Sequence, residues 1–170
     1  PSRRTEAYKY TPVTKWLNNN LASSTEKSAT SLADTFNDIE GYHYRTTDGQ
    51  LLDRDAPTLP KGLSIGTLQE MRSSDSSLLE TYLSRAVVLE RDPFAALASA
   101  FADDGIFIRV ERGVHVDQPI VIHHNTLTVG GLAQPRVLII VEDNASLNVV
   151  EHCPEVPAGS SFENRVAEVF

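Results

Sequence analysis

Hydrophobic and polar positions divide this chain into stretches of different period. From Ile106 onward apolar residues recur in short β-branched runs cut by turn residues: Ile106 to Val110, Val114 to Val116, Ile120 to His123, Thr126 to Val129, Val137 to Val141 and Ala145 to Glu151. Each reads as a strand. Val137, Ile139 and Val141 fall on one face and Leu138 and Ile140 on the other, so this strand is predicted to be buried on both sides. Before it, Asp92-Pro93 opens an Ala-rich segment reaching Ala102: Asp92 suits an N-cap, Pro93 the first helical position, and Gly105 a C-terminal stop. Phe94, Leu97, Ala98 and Phe101 share one face of that helix, which is expected to cover the apolar end of the β region. Leu68, Met71, Leu78, Leu79, Tyr82 and Leu83, with Val87 beyond, recur at helical spacing, with Asp75 or Ser77 as a cap.

The stretch from Asn18 to Gly66 is polar and weakly periodic. Short strands are expected around Asp38 to Arg45, Gly49 to Leu52 and Leu63 to Ile65, with a loop from Asp55 to Gly62. Near the N-terminus, Pro12 favours an extended Tyr8-Lys9-Tyr10-Thr11, with a short helical turn from Val13 to Leu17, and the aromatics are expected to dock this segment onto the body.

The β region repeats. Ile106, Ile108 and Val110 followed by Glu111-Arg112-Gly113 align with Val137, Ile139 and Val141 followed by Glu142-Asp143-Asn144, at an offset of 31 residues. A repeat of that length predicts stacked rungs in which Val110 and Val141 end equivalent strands. The fold class expected is α+β, with a mixed, largely helical region over residues 1–104 followed, over 105–170, by the first rungs of a right-handed β-helix. Val166 to Phe170 reads as a strand with no polar segment after it, so the solenoid is expected to be incomplete at that end and the chain to be the N-terminal part of a longer protein.

Charge narrows the function classes. A net charge of −8, with Lys and Arg dispersed, argues against a nucleic-acid partner. No run approaches the roughly 20 apolar residues of a membrane span. The single cysteine excludes an intramolecular disulfide and fits a reducing compartment, so a cytoplasmic location is expected.

Candidate chemistry is sparse. His123 and His124 are neighbours on a strand and point to opposite faces, as do His152 and Cys153, and His115 stands apart, so no spacing expected of a metal site appears. Cys153 beside His152 has two readings, a thiol activated by imidazole and a structural cysteine at a strand end, of which the second is the simpler. Asp103-Asp104 and Glu142-Asp143 occupy helix-end and turn positions, where solvation explains them. Gly130-Gly131 lacks the Lys-Ser/Thr and helix of a phosphate loop. No catalytic, cofactor-binding or metal residue is assigned.

Several stretches together resemble one family. Arg4-Thr5-Glu6-Ala7-Tyr8-Lys9-Tyr10-Thr11-Pro12 is similar to the opening segment of SufD, with Tyr8 where Trp is usual. Asp92-Pro93-Phe94-Ala95-Ala96-Leu97 with Phe101-Ala102-Asp103-Asp104-Gly105 resembles its Asn-Pro-Phe helix. Gly113 to Ile120, Pro135 to Ile139 and Ala145 to His152 resemble the start of its β-helix. SufB shares the β-helix pattern, but the Tyr-Lys-Tyr-Thr-Pro opening favours SufD. The resemblance implies a non-catalytic scaffold subunit for iron–sulfur cluster assembly, with SufB-like and SufC-like partners, SufC being the ATPase, and with the cluster implied for the full complex. The family's partner-binding and cluster-building residues are expected beyond Phe170. The alternative, from the solenoid pattern alone, is a carbohydrate-active parallel β-helix enzyme.

Overall fold

A computed structural model describes residues 38–54, 58–126, 132–153 and 162–170. The expected N-terminal arm, the strand continuing from Thr126 to Val129 and the loop after Cys153 lie wholly or largely outside these residues. The described part is α+β. It begins with strands β1 (Tyr42–Thr47), β2 (Gln50–Arg54) and β3 (Leu63–Thr67), followed by helices α1 (Leu68–Ser74), α2 (Ser76–Tyr82) and α3 (Pro93–Phe101). Strands β4 (Ile106–Val110), β5 (Ile120–Asn125), β6 (Leu132–Ala133), β7 (Arg136–Val141), β8 (Val149–His152), β9 (Phe162–Glu163) and β10 (Val166–Val169) complete it. No helix among the described residues is long and apolar enough to cross a membrane.

The strands form two four-stranded sheets, ordered β2-β1-β5-β8 and β10-β7-β4-β3, and a two-stranded β6-β9 pair. Pairing between successive turns of the chain is parallel. Ile106 lies opposite Val137 and Val110 opposite Val141, the 31-residue offset the repeat predicts. Arg136 lies opposite Val166, Ile120 opposite Val149 and Leu132 opposite Phe162, so offsets near 30 residues recur in all three sheets. At equivalent turns Gly113 (φ 73°) and Asn144 (φ 57°) both take the left-handed conformation, which glycine adopts freely and asparagine tolerates.

Alternation along these strands makes two apolar layers. Ile106, Ile108, Val110, Val137 and Ile139 meet Tyr44, Ile120 and Ile122 of the other sheet, so the inner faces of both sheets share one core. The opposite face carries Phe107, Leu138 and Ile140 against Leu68 and Leu79 of the helices. Each such side chain contributes about 1.5–3 kcal/mol on full burial, which is why a strand apolar on both faces belongs here.

Local expectations are corrected in five places. Asp75 is the cap, one of the two residues expected, but it also divides the helical stretch in two: its backbone N–H closes α1 on the Met71 carbonyl at 2.7 Å, and its carboxylate accepts from the Leu78 N–H at 3.2 Å to open α2. Val87 lies beyond both helices. Helix α3 is capped by Asp92 as expected, yet it buries Ala95 and Ala98, while Phe101 is 61% exposed; the small residues permit close approach. That helix does not cover the edges of the first strands, β4 and β5. They are covered by strands from the polar middle, β3 antiparallel to β4 and the β1–β2 hairpin beside β5, so residues 38–104 hold as many strands as helices among those described. Gly105 lies past the helix end. A Cβ there would sit 2.5 Å from the Arg136 carbonyl oxygen and 2.8 Å from Leu68, so glycine serves close packing. Val114 to Val116 makes only a single bridge, His115 to Ser146, and Ala145 to Leu147 joins no strand beyond it, because the Glu111–Val114 and Glu142–Ala145 turns take up the neighbouring backbone groups.

Candidate functional site

Four of the histidines gather on the sheet ordered β2-β1-β5-β8, on the two faces that strand alternation predicts. His43 and His123 lie on the outer face, both buried, with His43 Nδ1 3.0 Å from His123 Nε2 and His43 Nε2 2.8 Å from the Ile39 carbonyl oxygen. The Ile39 carbonyl accepts from His43 Nε2–H, which leaves His43 Nδ1 to accept from His123 Nε2–H. Ring planes within 16° and centroids 5.3 Å apart point the two nitrogens directly at each other, an arrangement for a hydrogen bond and not for a common metal. His152 meets His123 edge-on at 5.8 Å. On the inner face His124 pairs through Nδ1 with the Thr46 hydroxyl at 2.9 Å and faces Glu151 through Nε2 at 3.6 Å. That imidazole, with Arg165 as a smaller influence, holds the Glu151 carboxyl below its ordinary range. His115 is exposed and bonds Ser146 at 2.9 Å. No group of three or more His, Cys, Asp and Glu side chains suited to a metal is present among the described residues.

Cys153 meets Arg165 rather than the imidazole beside it in sequence. Arg165 contacts the Cys153 sulfur, pairs with Glu163 at 2.9 Å and lies 3.9 Å from Glu151, while the Thr126 hydroxyl bonds Glu163. Burial pushes the Cys153 thiol up, and the neighbouring carboxylates add to this against the opposing pull of Arg165. A thiol so placed is a poor nucleophile at neutral pH. Glu151 and Glu163 are both turned on one guanidinium, which suits a strut between strands better than an acid–base pair.

The most buried charges are ones that residue spacing alone did not single out. Arg136 on β7 and Glu168 on β10 are 4% and 1% exposed and pair at 2.6 Å. Arg136 also donates to the hydroxyls of Ser99 at 2.9 Å and Ser84 at 2.8 Å, and Glu168 accepts from the backbone N–H groups of Ser84 at 2.9 Å and Ala86 at 3.1 Å. The repeat held the signal: Arg136 pairs with Val166, and Glu168, two residues on, shares its face. A cavity of about 110 Å³ lies beside Arg136, lined also by Leu68, Arg72, Ser99 and Asp103 among others.

Residues 1–122 match the family model described as the SufBD protein N-terminal region. The chain belongs to the SufBD family. Among curated relatives it is 29% identical over 111 residues to an iron–sulfur cluster assembly SufBD family protein of Staphylococcus saprophyticus, and 30% identical over the same length to one of Staphylococcus haemolyticus. A Staphylococcus aureus protein of the same description is 28% identical. Each match covers 65% of this chain and 24% of the relative, so the SufBD chain aligns with about a quarter of the proteins it resembles.

Within this SufBD chain the family-matched segment supplies β1 to β4, the three helices and the start of β5. His124, Arg136, His152, Cys153 and Glu168 all lie beyond it. Several polar side chains tie neighbouring strands. Arg109 on β4 donates to Glu142 at 2.9 Å, and the Arg112 N–H reaches the other oxygen of the same carboxylate at 3.1 Å, which holds Glu142 below the usual carboxylate range. Arg112 and Asp143 close a second tie at 2.8 Å. These contacts fix register between equivalent turns.

Proposed function

We propose that this chain forms part of a non-catalytic scaffold subunit of a SUF-type iron–sulfur cluster assembly complex, closer to SufD than to SufB. In this reading the parallel ladders are the first rungs of a right-handed β-helix, and the subunit works in the cytoplasm beside a SufB-like partner and a SufC-like ATPase. The iron–sulfur cluster is the cargo of the assembled complex and is assigned to none of the residues described. Family membership supports cluster assembly as the process. The Tyr8-Lys9-Tyr10-Thr11-Pro12 opening supports SufD over SufB.

The observation that carries the scaffold reading is the recurrence of parallel offsets near 30 residues with buried and surface charges spent on inter-strand ties. Such a body is rigid and extends by addition of like units, as a platform for other subunits requires. Co-expression of the full-length protein with SufB and SufC homologues, followed by affinity purification on the SufB tag, tests it. A stable complex containing all three is expected. A protein that elutes alone in their presence, or that replaces SufB rather than joining it, contradicts the SufD-like assignment.

A further inference from the structure

The cavity of about 110 Å³ beside Arg136 lies between α1, the end of α3 and the start of β7, and its walls carry opposite charges. Leu68 and Arg72 fall four residues apart on one face of α1, one apolar and one cationic. Asp103 and Asp104 stand where the chain leaves α3 for β4, and Asp104 Oδ1 accepts from the Gln69 N–H at 3.0 Å, which holds that wall against α1. Leu68 and Arg136, 6% and 4% exposed, close the inner end, while the exposed Arg72 and Asp103 mark the mouth. These charges do not pair with one another. Neither Arg72 nor Asp103 enters a hydrogen bond or ion pair among the described residues. Deeper in, Arg136 donates through Nη1 to Ser99 and through Nη2 to Ser84 and Glu168, but its buried Nε has no partner among the described residues. A buried guanidinium N–H in this position calls for an acceptor, and the facing carboxylates call for a cationic donor.

We propose that this cavity binds a small zwitterion, an α-amino acid of the size of glycine or alanine, with its carboxylate turned to Arg136 and Arg72 and its ammonium to Asp103 and Asp104. A lone anion would also face both aspartates and the neighbouring Glu168, and a lone cation would face both guanidinium groups. A zwitterion meets each wall with the opposite sign. Size limits the ligand as well. An apolar cavity of ~150 Å³ admits benzene, so about 110 Å³ bounds the ligand to roughly five or six non-hydrogen atoms. Glycine and alanine fall within that bound, and amino acids with large side chains exceed it.

Amide NMR of the whole chain, titrated with L-alanine, tests the site. Saturable shifts at residues 68–72 and 102–105 are expected, with a Kd in the roughly millimolar range that suits so few atoms. Acetate and methylammonium, each carrying one of the two charges, should bind about tenfold more weakly or worse at the same ionic strength. Phenylalanine, too large for the cavity, should not reproduce the shifts. Arg72→Met and Asp103→Asn alter exposed side chains and leave the fold intact, and each should weaken alanine binding by about tenfold or more. The proposal is overturned if alanine gives no saturable shift at these amides up to about 50 mM, if acetate, methylammonium or phenylalanine matches it, or if either variant binds alanine as the parent does.

Discussion

Leu138 offers the sharpest energetic test of the two-layer arrangement. Its side chain is fully buried on the outer face of β7, packed with Phe107 and Ile140 beneath Leu68 and Leu79. Leu138→Ala deletes three buried carbon groups, worth about 2.4 kcal/mol of transfer at ~0.8 kcal/mol each. The cavity term raises the expected loss toward the ~2–5 kcal/mol found for such truncations. In a domain of this size that lowers Tm by about 5–20 °C. Val169 is the matched control: it belongs to the same sheet, one strand over, but is 62% exposed. Val169→Ala is expected to change stability by no more than about 0.5 kcal/mol. Urea unfolding followed by circular dichroism measures both, with an unchanged slope confirming that the denatured state is comparable. If Leu138→Ala cost less than about 1 kcal/mol, or no more than Val169→Ala, the helical layer would not be packed on this face and the reasoning would fail.

Three further outcomes follow from particular contacts. Gly105→Ala drives a methyl group against the Arg136 carbonyl and Leu68, and is expected to destabilise the fold by about 1–3 kcal/mol, measured by the same urea titration; a neutral effect means that β4 does not start this close to β7. Glu151 is held below its ordinary value of 4.5 by His124 first and Arg165 second. A carboxyl lowered in the folded state contributes stability that is fully present above its unfolded pKa and is lost as pH falls through the folded one. The stability difference between the parent and Glu151→Gln should thus shrink on acidification below about 4.5, and a difference that grows there contradicts the assignment. Burial raises the Cys153 thiol, so alkylation by iodoacetamide should be slow at neutral pH and accelerate only above the ordinary thiol value of 9.0; rapid labelling at pH 7 would point instead to an activated thiol.

What the sequence made legible is what local chemistry determines. The 31-residue repeat placed β4 and β7 correctly because β-branched alternation and the Glu-Arg-Gly and Glu-Asp-Asn turns recur together. Asp92-Pro93 located the start of α3 because capping and proline geometry act within a few residues. The face of α3 was read as Phe94, Leu97, Ala98 and Phe101; Ala98 is buried as read, but packing turns Ala95 inward and leaves Phe101 exposed, a preference set by how closely another element approaches. Asp75 was legible as a cap, as found for α2, but not as the end of a separate α1, because the apolar residues on both sides keep helical spacing. The use of β1 and β3 to cover the edges of β5 and β4 has no local signature, since those partners lie roughly 40 to 80 residues away, whereas the β1–β2 hairpin is local. Among the chemical groups, alternation separated His123 from His124, but the in-line contact of His123 with His43 and the Arg136–Glu168 pair depend on register across strands.

The scaffold reading rests on parallel stacking at an offset of 31 residues, and one cross-link tests this most directly. His115 and Ser146 are both exposed, are bridge partners, and already meet through Nδ1 and Oγ at 2.9 Å. In a Cys153→Ser background, the pair His115→Cys with Ser146→Cys should close a disulfide on mild oxidation, since bridge partners lie within the ~4.4–6.8 Å Cα spacing that a disulfide spans. His115→Cys with Asn148→Cys, displaced by two residues along the strand direction, should close far more slowly. An antiparallel hairpin keeping Val110 opposite Val141 would set Arg136 and not Ser146 against His115. Rapid closure of the 115–146 pair is the predicted result; failure of that pair, with ready closure of His115→Cys to Arg136→Cys, would contradict the account.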